Sequence, residues 1–404
     1  MLYRSARCAY CGAVLIVIAN QCLAQQQDWA GYIAFEPRIF FEEPKYDQHP
    51  HNGLSPSAVV SPEFRYEWHE GSDRITIIPF YRYDADDENR THWDLREANW
   101  QHFRGPWTWL LGVGKVFWGV TESRHLVDII NQTDLVEDID EEQKLGQPMI
   151  NLEHWSEGGT LSLFLLPGFR ERTFPANNAR LRGPLPISNH DAVYDSGAGD
   201  QHLDIALRWT KSVTNWDIGL SGFYGNGREP RLVPTLVASG SVFLVPHYDV
   251  ISQLGVDIQY TQEAWLWKLE AIGRSGQGDD FGAFAGGVEY TFYGIRGTNV
   301  DIGLLAEYLY DARDDAAPAT SLDDDVFVGA RFTLNDADDT NILVGAIVDP
   351  ADGETIAFVE AQRRMGERWT LEFELRLLTN ISEDGRLYGF EKDSYMTLRT
   401  SWYF

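Results

Sequence analysis

Charged side chains recur at every second position in this chain, with apolar residues between them. Asp204 and Arg208 alternate with Leu203, Ile205, Leu207 and Trp209. Glu372, Glu374 and Arg376 alternate with Leu371, Phe373, Leu375 and Leu377. Arg65 and Glu67 lie between Phe64, Tyr66 and Trp68, and Asp301 and Glu307 between Val300, Ile302, Tyr308 and Tyr310. The same parity places Arg74, Arg82, Lys268, Arg331 and Arg399 on a wet face. It adds Glu63, Asp217, Asp257, Glu270, Glu289 and Glu360, so acids outnumber bases there. Charges held this way act on ions and dipolar solutes through their field, without making or breaking bonds. A denser acidic run, Asp134 to Glu142, contains Glu137, Asp138, Asp140, Glu141 and Glu142.

Signs of bond-making chemistry are weaker. His154, His190 and His202 have no serine partner at a hydrolase spacing, so no catalytic residue is assigned and the chain is not expected to be an enzyme. The acidic runs 311–315 and 323–325 lack the spacing and glycine of a calcium loop and read as solvated loops, so no metal is expected. Gly276 and Gly278 lack the strand–turn–helix setting of a nucleotide site, so no cofactor is expected either.

Alternation by two is the strand period. It predicts strands over 28–41, 58–69, 73–83, 91–103, 106–117, 148–156, 159–168, 202–211, 213–223, 246–260, 263–273, 281–293, 298–310, 324–335, 339–349, 353–364, 367–378 and 394–404. Every second connection is short: 69–73, 103–106, 156–159, 211–213, 261–263, 294–297, 335–339 and 366–367. Those between are mostly long: 42–57, 118–147, 169–201, 224–245, 311–323 and 379–393. A soluble β-sandwich has no need of this parity, whereas a membrane barrel has short turns on one side and long loops on the other. The chain also holds 14 Trp, 18 Tyr and 21 Phe, gathered near segment ends, where such rings would meet a membrane–water interface. In lipid every backbone amide needs a partner, which forces the strands to close into a ring. The expected fold is therefore all-β: a transmembrane antiparallel up-and-down barrel of about eighteen strands.

The leader fits this fold. Arg4 and Arg7 precede an apolar stretch, Ala13 to Ala19, and small residues around Ala24 mark a cleavage point. Residues 1–24 read as a signal peptide and 25–404 as the barrel. Cys8, Cys11 and Cys22 all lie in the leader, so the exported part carries no disulfide and must be held together by its strands. Lys and Arg number 33 against 61 Asp and Glu, a net charge of −28, which would repel nucleic acid. Acidic loops could hold divalent cations beside lipopolysaccharide, or could simply be solvated. The last strand alternates Met396, Leu398, Trp402 and Phe404 with Thr397, Arg399, Ser401 and Tyr403, ending on an aromatic. That pattern resembles the signal read by the machinery that assembles outer-membrane barrels.

Two stretches carry a family resemblance. Leu111-Gly-Val-Gly-Lys115 leads into Trp118-Gly119, and Asp128-Ile-Ile-Asn131 leads to Asp134. This order resembles the outer-membrane porin superfamily that includes alginate-export and phosphate-selective porins. The resemblance implies an outer-membrane barrel of a Gram-negative bacterium and passive diffusion of small hydrophilic or charged solutes. It implies neither alginate nor phosphate, since a polyanion exporter would be lined with arginines and this wet face is mixed. The alternative is a barrel without transport, structural or adhesin-like, or with an enzymatic site at its rim. Pore-lining positions are expected at Arg65, Arg74, Arg82, Arg208, Arg331, Arg376, Arg399, Glu372 and Glu374. Loop 118–147 is the candidate constriction. Its first half is expected to pack inward and its acidic half to be a solvated outer loop. In the alternative arrangement the acidic half faces Arg65, Arg74 or Arg82 across an eyelet.

Overall fold

A computed structural model describes residues 26–236, 240–383 and 385–404. The leader expected over residues 1–24, with its cleavage point, lies outside them. Eighteen strands form one sheet in which each strand pairs antiparallel with its neighbours in the chain. The first pairs with the last, Ile33 opposite Trp402 and Phe35 opposite Thr400, so the sheet closes into a barrel. The barrel strands are Gln26–Phe40, Leu54–Trp68, Asp73–Asp84, His92–Arg104, Trp107–Gly114, Gln147–Ser156, Gly159–Pro167, Leu203–Val213, Trp216–Asn226, Val250–Gln262, Trp265–Ser275, Phe281–Phe292, Asp301–Asp311, Asp324–Thr333, Asn341–Val348, Thr355–Met365, Trp369–Thr379 and Tyr395–Tyr403.

Each expected strand corresponds to one of these, with two informative shifts. The segment expected over 246–260 is two strands. Val242–Tyr248 pairs with Arg231–Leu236 in a small outer sheet, and Val250–Gln262 belongs to the barrel. The strand expected to run to 117 stops at Gly114. There the Asn131 side chain donates to the Gly114 carbonyl and accepts from the Val116 N–H, which turns the chain into the interior.

The pleat sorts side chains by solvent. On the first strand Trp29, Ile33 and Phe35 face out, while Ala34, Glu36 and Arg38 are buried inside. Large apolar groups are bare on the outer surface, Trp93 at 76% and Leu254 at 72% exposure, which water alone would disfavour. Aromatic pairs ring the short-turn end: Trp29 with Phe64 (4.7 Å), Trp216 with Tyr260 (4.4 Å) and Trp265 with Tyr290 (4.5 Å).

The interior is not uniformly wet. Met149, Phe164, Leu166, Ala206, Phe223, Ile251, Ile272, Leu309 and Phe327 project inward from one arc of the wall. Trp118, Leu126, Val127, Ile129 and Ile130 of the inward-folded loop pack on them, forming a dry core inside the barrel. Burying such side chains contributes roughly 1.5–3 kcal/mol each. The long connection is thus fastened to the wall as a second layer.

Candidate functional site: a loop-lined constriction

The chain between Gly114 and Gln147 folds wholly into the lumen, and wall carboxylates hold its backbone. Glu270, fully buried, accepts from the N–H groups of Val120 (2.7 Å), Thr121 (3.1 Å) and Val127 (3.2 Å). Glu307 accepts from the N–H groups of Glu122 (2.8 Å) and Ser123 (2.9 Å) and from the Ser123 hydroxyl (2.6 Å). Arg124 reaches Asp311 at 3.1 Å. Backbone donors buried without acceptors would each cost about 1–3 kcal/mol, which explains charged acceptors on an otherwise apolar arc. Gly119 is required where the loop bends over Glu270: an added Cβ would lie 2.6 Å from His125 Nδ1 and 3.0 Å from Glu270 Oε1.

His125 clamps the two ends of the loop, with Nε2 2.9 Å from Glu142 and Nδ1 3.6 Å from Glu270. Burial by itself would lower its pKa, but the hydrogen bonds and charges of Glu142 and Glu270 prevail and push it from 6.5 up to about 10. The folded protein therefore binds this proton more tightly than the unfolded chain does. The resulting stabilisation is complete below the ordinary value of 6.5 and disappears as pH rises through about 10. Cleavage of the loop by an alkaline-active protease, normalised to a peptide substrate, is expected to accelerate between about pH 8 and 10.5. In His125→Ala it should be fast throughout and flat with pH; a wild type that is equally flat refutes the clamp.

The opposite side of the loop meets a second, ionic network. Arg82 donates to Glu36 (2.9 Å) and to Glu137 (2.7 Å), and Arg90 to Asp84 (2.7 Å) and Glu36 (2.6 Å). Arg96 lies 2.6 Å from Asp134 and 3.1 Å from Asp94. His92, Asp134 and Glu137 place ligand-type atoms within 4.8 Å of one another, a spacing that could hold a metal ion. Arg96 and Arg82 already neutralise the two carboxylates, so the cluster is read as part of the ion-pair network.

Between this network and the wall strands 341–403 lies a polar cavity of about 370 Å³. Arg331, Arg376, Arg399, Glu372 and Glu374 line it from the wall, and Glu137, Asp138 and Asp140 from the loop. Arg376 contacts Glu374 (2.7 Å), Glu360 (2.8 Å) and Asp140 (3.0 Å). Burial within the barrel and the neighbouring Asp138 hold the Asp140 carboxyl well above the usual carboxylate range, against the pull of Arg376.

The remaining sequence-predicted residues lie elsewhere. Arg208 faces the interior against Asp257 (2.8 Å) and lies over the Trp118 ring. Arg65 and Arg74 also point inward, but they pair with Glu63 (2.8 Å) and Glu67 (2.6 Å) near the short-turn end. The eyelet arrangement is therefore corrected to Arg82 alone, because the other two arginines lie too far down the barrel. Glu141 meets Arg172 (3.4 Å) and Glu142 meets His125, and Glu137 is buried, so the acidic half is tied inward rather than standing as an outer loop, although Glu141 and Glu142 stay half-exposed. Its charges are drawn inward by cations on the wall and the neighbouring loops. Asp311, read as solvated, is buried between Arg313 (2.7 Å) and Arg124. Glu36, Glu122, Arg90 and Arg96 were not singled out. Glu36 shares the parity of Ala34 and Arg38, a signal that could have found it.

Among solved structures, the chain superposes on a BenF-like porin from Pseudomonas fluorescens Pf-5 over 94% of its length and 98% of that chain, with TM-score 0.54 and 10% identity. It also superposes on Wzi of Escherichia coli, an outer membrane protein involved in group 1 capsule assembly and described as a carbohydrate-binding β-barrel. That match covers 91% of this chain and 83% of the other, with TM-score 0.52 and 10% identity. At such identity the likeness establishes the fold alone. No family model and no curated protein matches the chain.

Proposed function

We propose that this chain is a channel of the porin type in the outer membrane of a Gram-negative bacterium, passing small hydrophilic or charged solutes by diffusion. The observation that carries this reading is a closed barrel, apolar and aromatic-edged outside, whose interior keeps a charged cavity of about 370 Å³ beside an inward-folded loop. A wall that faces lipid on one side and water on the other accounts for both surfaces with one strand pattern. The membrane assignment also draws support from the two barrels it resembles in fold, one named a porin and the other an outer membrane protein. On this reading the chain carries out no catalysis and uses no cofactor. Acidic outer loops would meet lipopolysaccharide, and the closing strand ending at Phe404 would be what the assembly machinery binds.

A second reading, a barrel that does not conduct, is favoured by the dry core that fills one arc of the interior. Reconstitution separates the two. In planar bilayers the channel reading expects discrete conductance steps, and in liposomes it expects swelling with small sugars and charged solutes. Silent bilayers together with unswollen vesicles, from protein shown to be folded, would leave the non-conducting reading.

A further inference from the structure

We infer that the cavity beside the loop selects small cationic solutes over anions. The inference rests on the channel reading and names the solute class of that same cavity.

The lining holds eight carboxylates and four guanidinium groups; Arg90 and Lys268 also offset Glu36 and Glu122 from behind it, which leaves a smaller negative surplus. Each of the four lining arginines is already committed. Arg82 is shared by Glu36 and Glu137, Arg331 lies 2.6 Å from Glu122, and Arg399 lies 3.6 Å from both Glu36 and Glu372. Arg376 serves Asp140, Glu360 and Glu374 at once. Asp140 tends to keep its proton, so Arg376 is divided chiefly between the carboxylates of Glu360 and Glu374. Only Arg399, 3.6 Å from its two carboxylates and with its Nε lacking a hydrogen-bond partner, would offer an entering anion an unsatisfied donor, and Glu36 and Glu372 beside it oppose the anion's charge.

Asp138 adds to the imbalance. Among the described residues it forms no direct ion pair, Arg376 acting on it only at longer range, and its carboxylate accepts only the Asp140 N–H, at 3.3 Å. Burial first and the Asp138 charge second raise the affinity of Asp140 for its proton, so the negative charge at this point of the lining rests on Asp138. An independent feature lies on the facing wall. Thr397 is 5% exposed, lines the cavity, and its hydroxyl oxygen has no hydrogen-bond partner. A hydroxyl acceptor beside surplus carboxylates is an arrangement suited to an ammonium group or a partly hydrated alkali cation. Carboxylate-lined constrictions pass cations by this chemistry. Lower in the barrel, Arg65 with Glu63 and Arg74 with Glu67 form neutral pairs that do not oppose the preference.

The test is the reversal potential of the full-length protein in planar bilayers under a KCl gradient, followed by the same measurement with ethylammonium chloride and with potassium acetate. Wild type is expected to favour potassium over chloride and ethylammonium over acetate. Asp138→Asn should lower the potassium-to-chloride ratio by at least about fivefold, the effect of one unit charge at contact distance in water on the cation alone. Asp138→Arg should invert the preference, and Thr397→Val should weaken it while conductance persists. Chloride preference in wild type, or a ratio unmoved by both Asp138 variants, overturns the inference while leaving a channel. Complete silence of folded wild-type protein overturns the channel reading, and this inference with it. Folding of each variant is checked by its heat-modifiable migration on gels.

Discussion

Glu270→Ala will free the constriction loop while leaving the barrel closed. In detergent, trypsin should then cut the loop at Lys115, Arg124 or Lys144, which the wild type protects. The substitution strips the acceptor from the buried N–H groups of Thr121 and Val127, from the half-buried N–H of Val120, and from the His125 imidazolium. Each orphaned donor costs about 1–3 kcal/mol, so local stability should fall by at least ~3 kcal/mol. Where opening is fast relative to cutting, proteolysis follows the open population, and that loss corresponds to an increase in cleavage of about 100-fold. In bilayers, single-channel current should become larger and noisier as the loop leaves the lumen. Glu270→Gln keeps one acceptor oxygen and should fall between the two. Overall unfolding should shift far less than loop cleavage, because the strand ladder of Trp265–Ser275 is untouched. Protection equal to wild type in Glu270→Ala would show that the apolar contacts of Val127 and Ile130 alone hold the loop.

The contrast between barrel and loop also sets what the sequence discloses. A wall between lipid and water writes its code locally. Leu203, Ile205, Leu207 and Trp209 face out, and Asp204 and Arg208 face in, so alternate residues suffice to assign both strand and face. For the same reason the inward parity of Arg376, Glu374 and Arg399 was legible. The code misleads only where alternation continues through a break, as at Asp249 between the outer-sheet strand Val242–Tyr248 and the wall strand Val250–Gln262. The loop obeys no such code. Its acceptors Glu270 and Glu307 stand 143 to 185 residues away along the chain, and nothing in the run Asp134–Glu142 marks its counter-charges on distant strands. In the sequence the stretch Asp128 to Asp134 stands out only through its family resemblance. In the fold these residues tie the loop: Asp128 accepts from the Trp118 N–H, Asn131 bridges Gly114 and Leu145, and Asp134 binds Arg96.

Arg82 is where wall and loop meet, and its removal should cost the most stability. The residue is 1% exposed. Its guanidinium donates through Nε and Nη2 to both oxygens of Glu137 on the loop, at 2.8 and 2.7 Å. It also donates through Nη1 to Glu36 on the first strand, across the intervening strand Leu54–Trp68, at 2.9 Å. Arg82→Ala leaves two buried carboxylates with less counter-charge than they need, a situation that costs about 3–5 kcal/mol. Reversible unfolding in urea with lipid vesicles should register that loss. Arg65→Ala offers the comparison. Its pair with Glu63 is 44% and 30% exposed, and such pairs contribute about 0–1 kcal/mol. Arg82→Lys keeps the charge but loses the forked geometry that grips Glu137, so it should recover only part of the loss. The double variant Arg82→Met with Glu137→Gln removes a charge of each sign. It should be more stable than Arg82→Ala, even though it changes more of the network, because Arg90 still holds Glu36 at 2.6 Å. If Arg82→Ala and Arg65→Ala cost the same, the buried network is no stronger than a surface pair, and the loop must owe its inward position to the dry core alone.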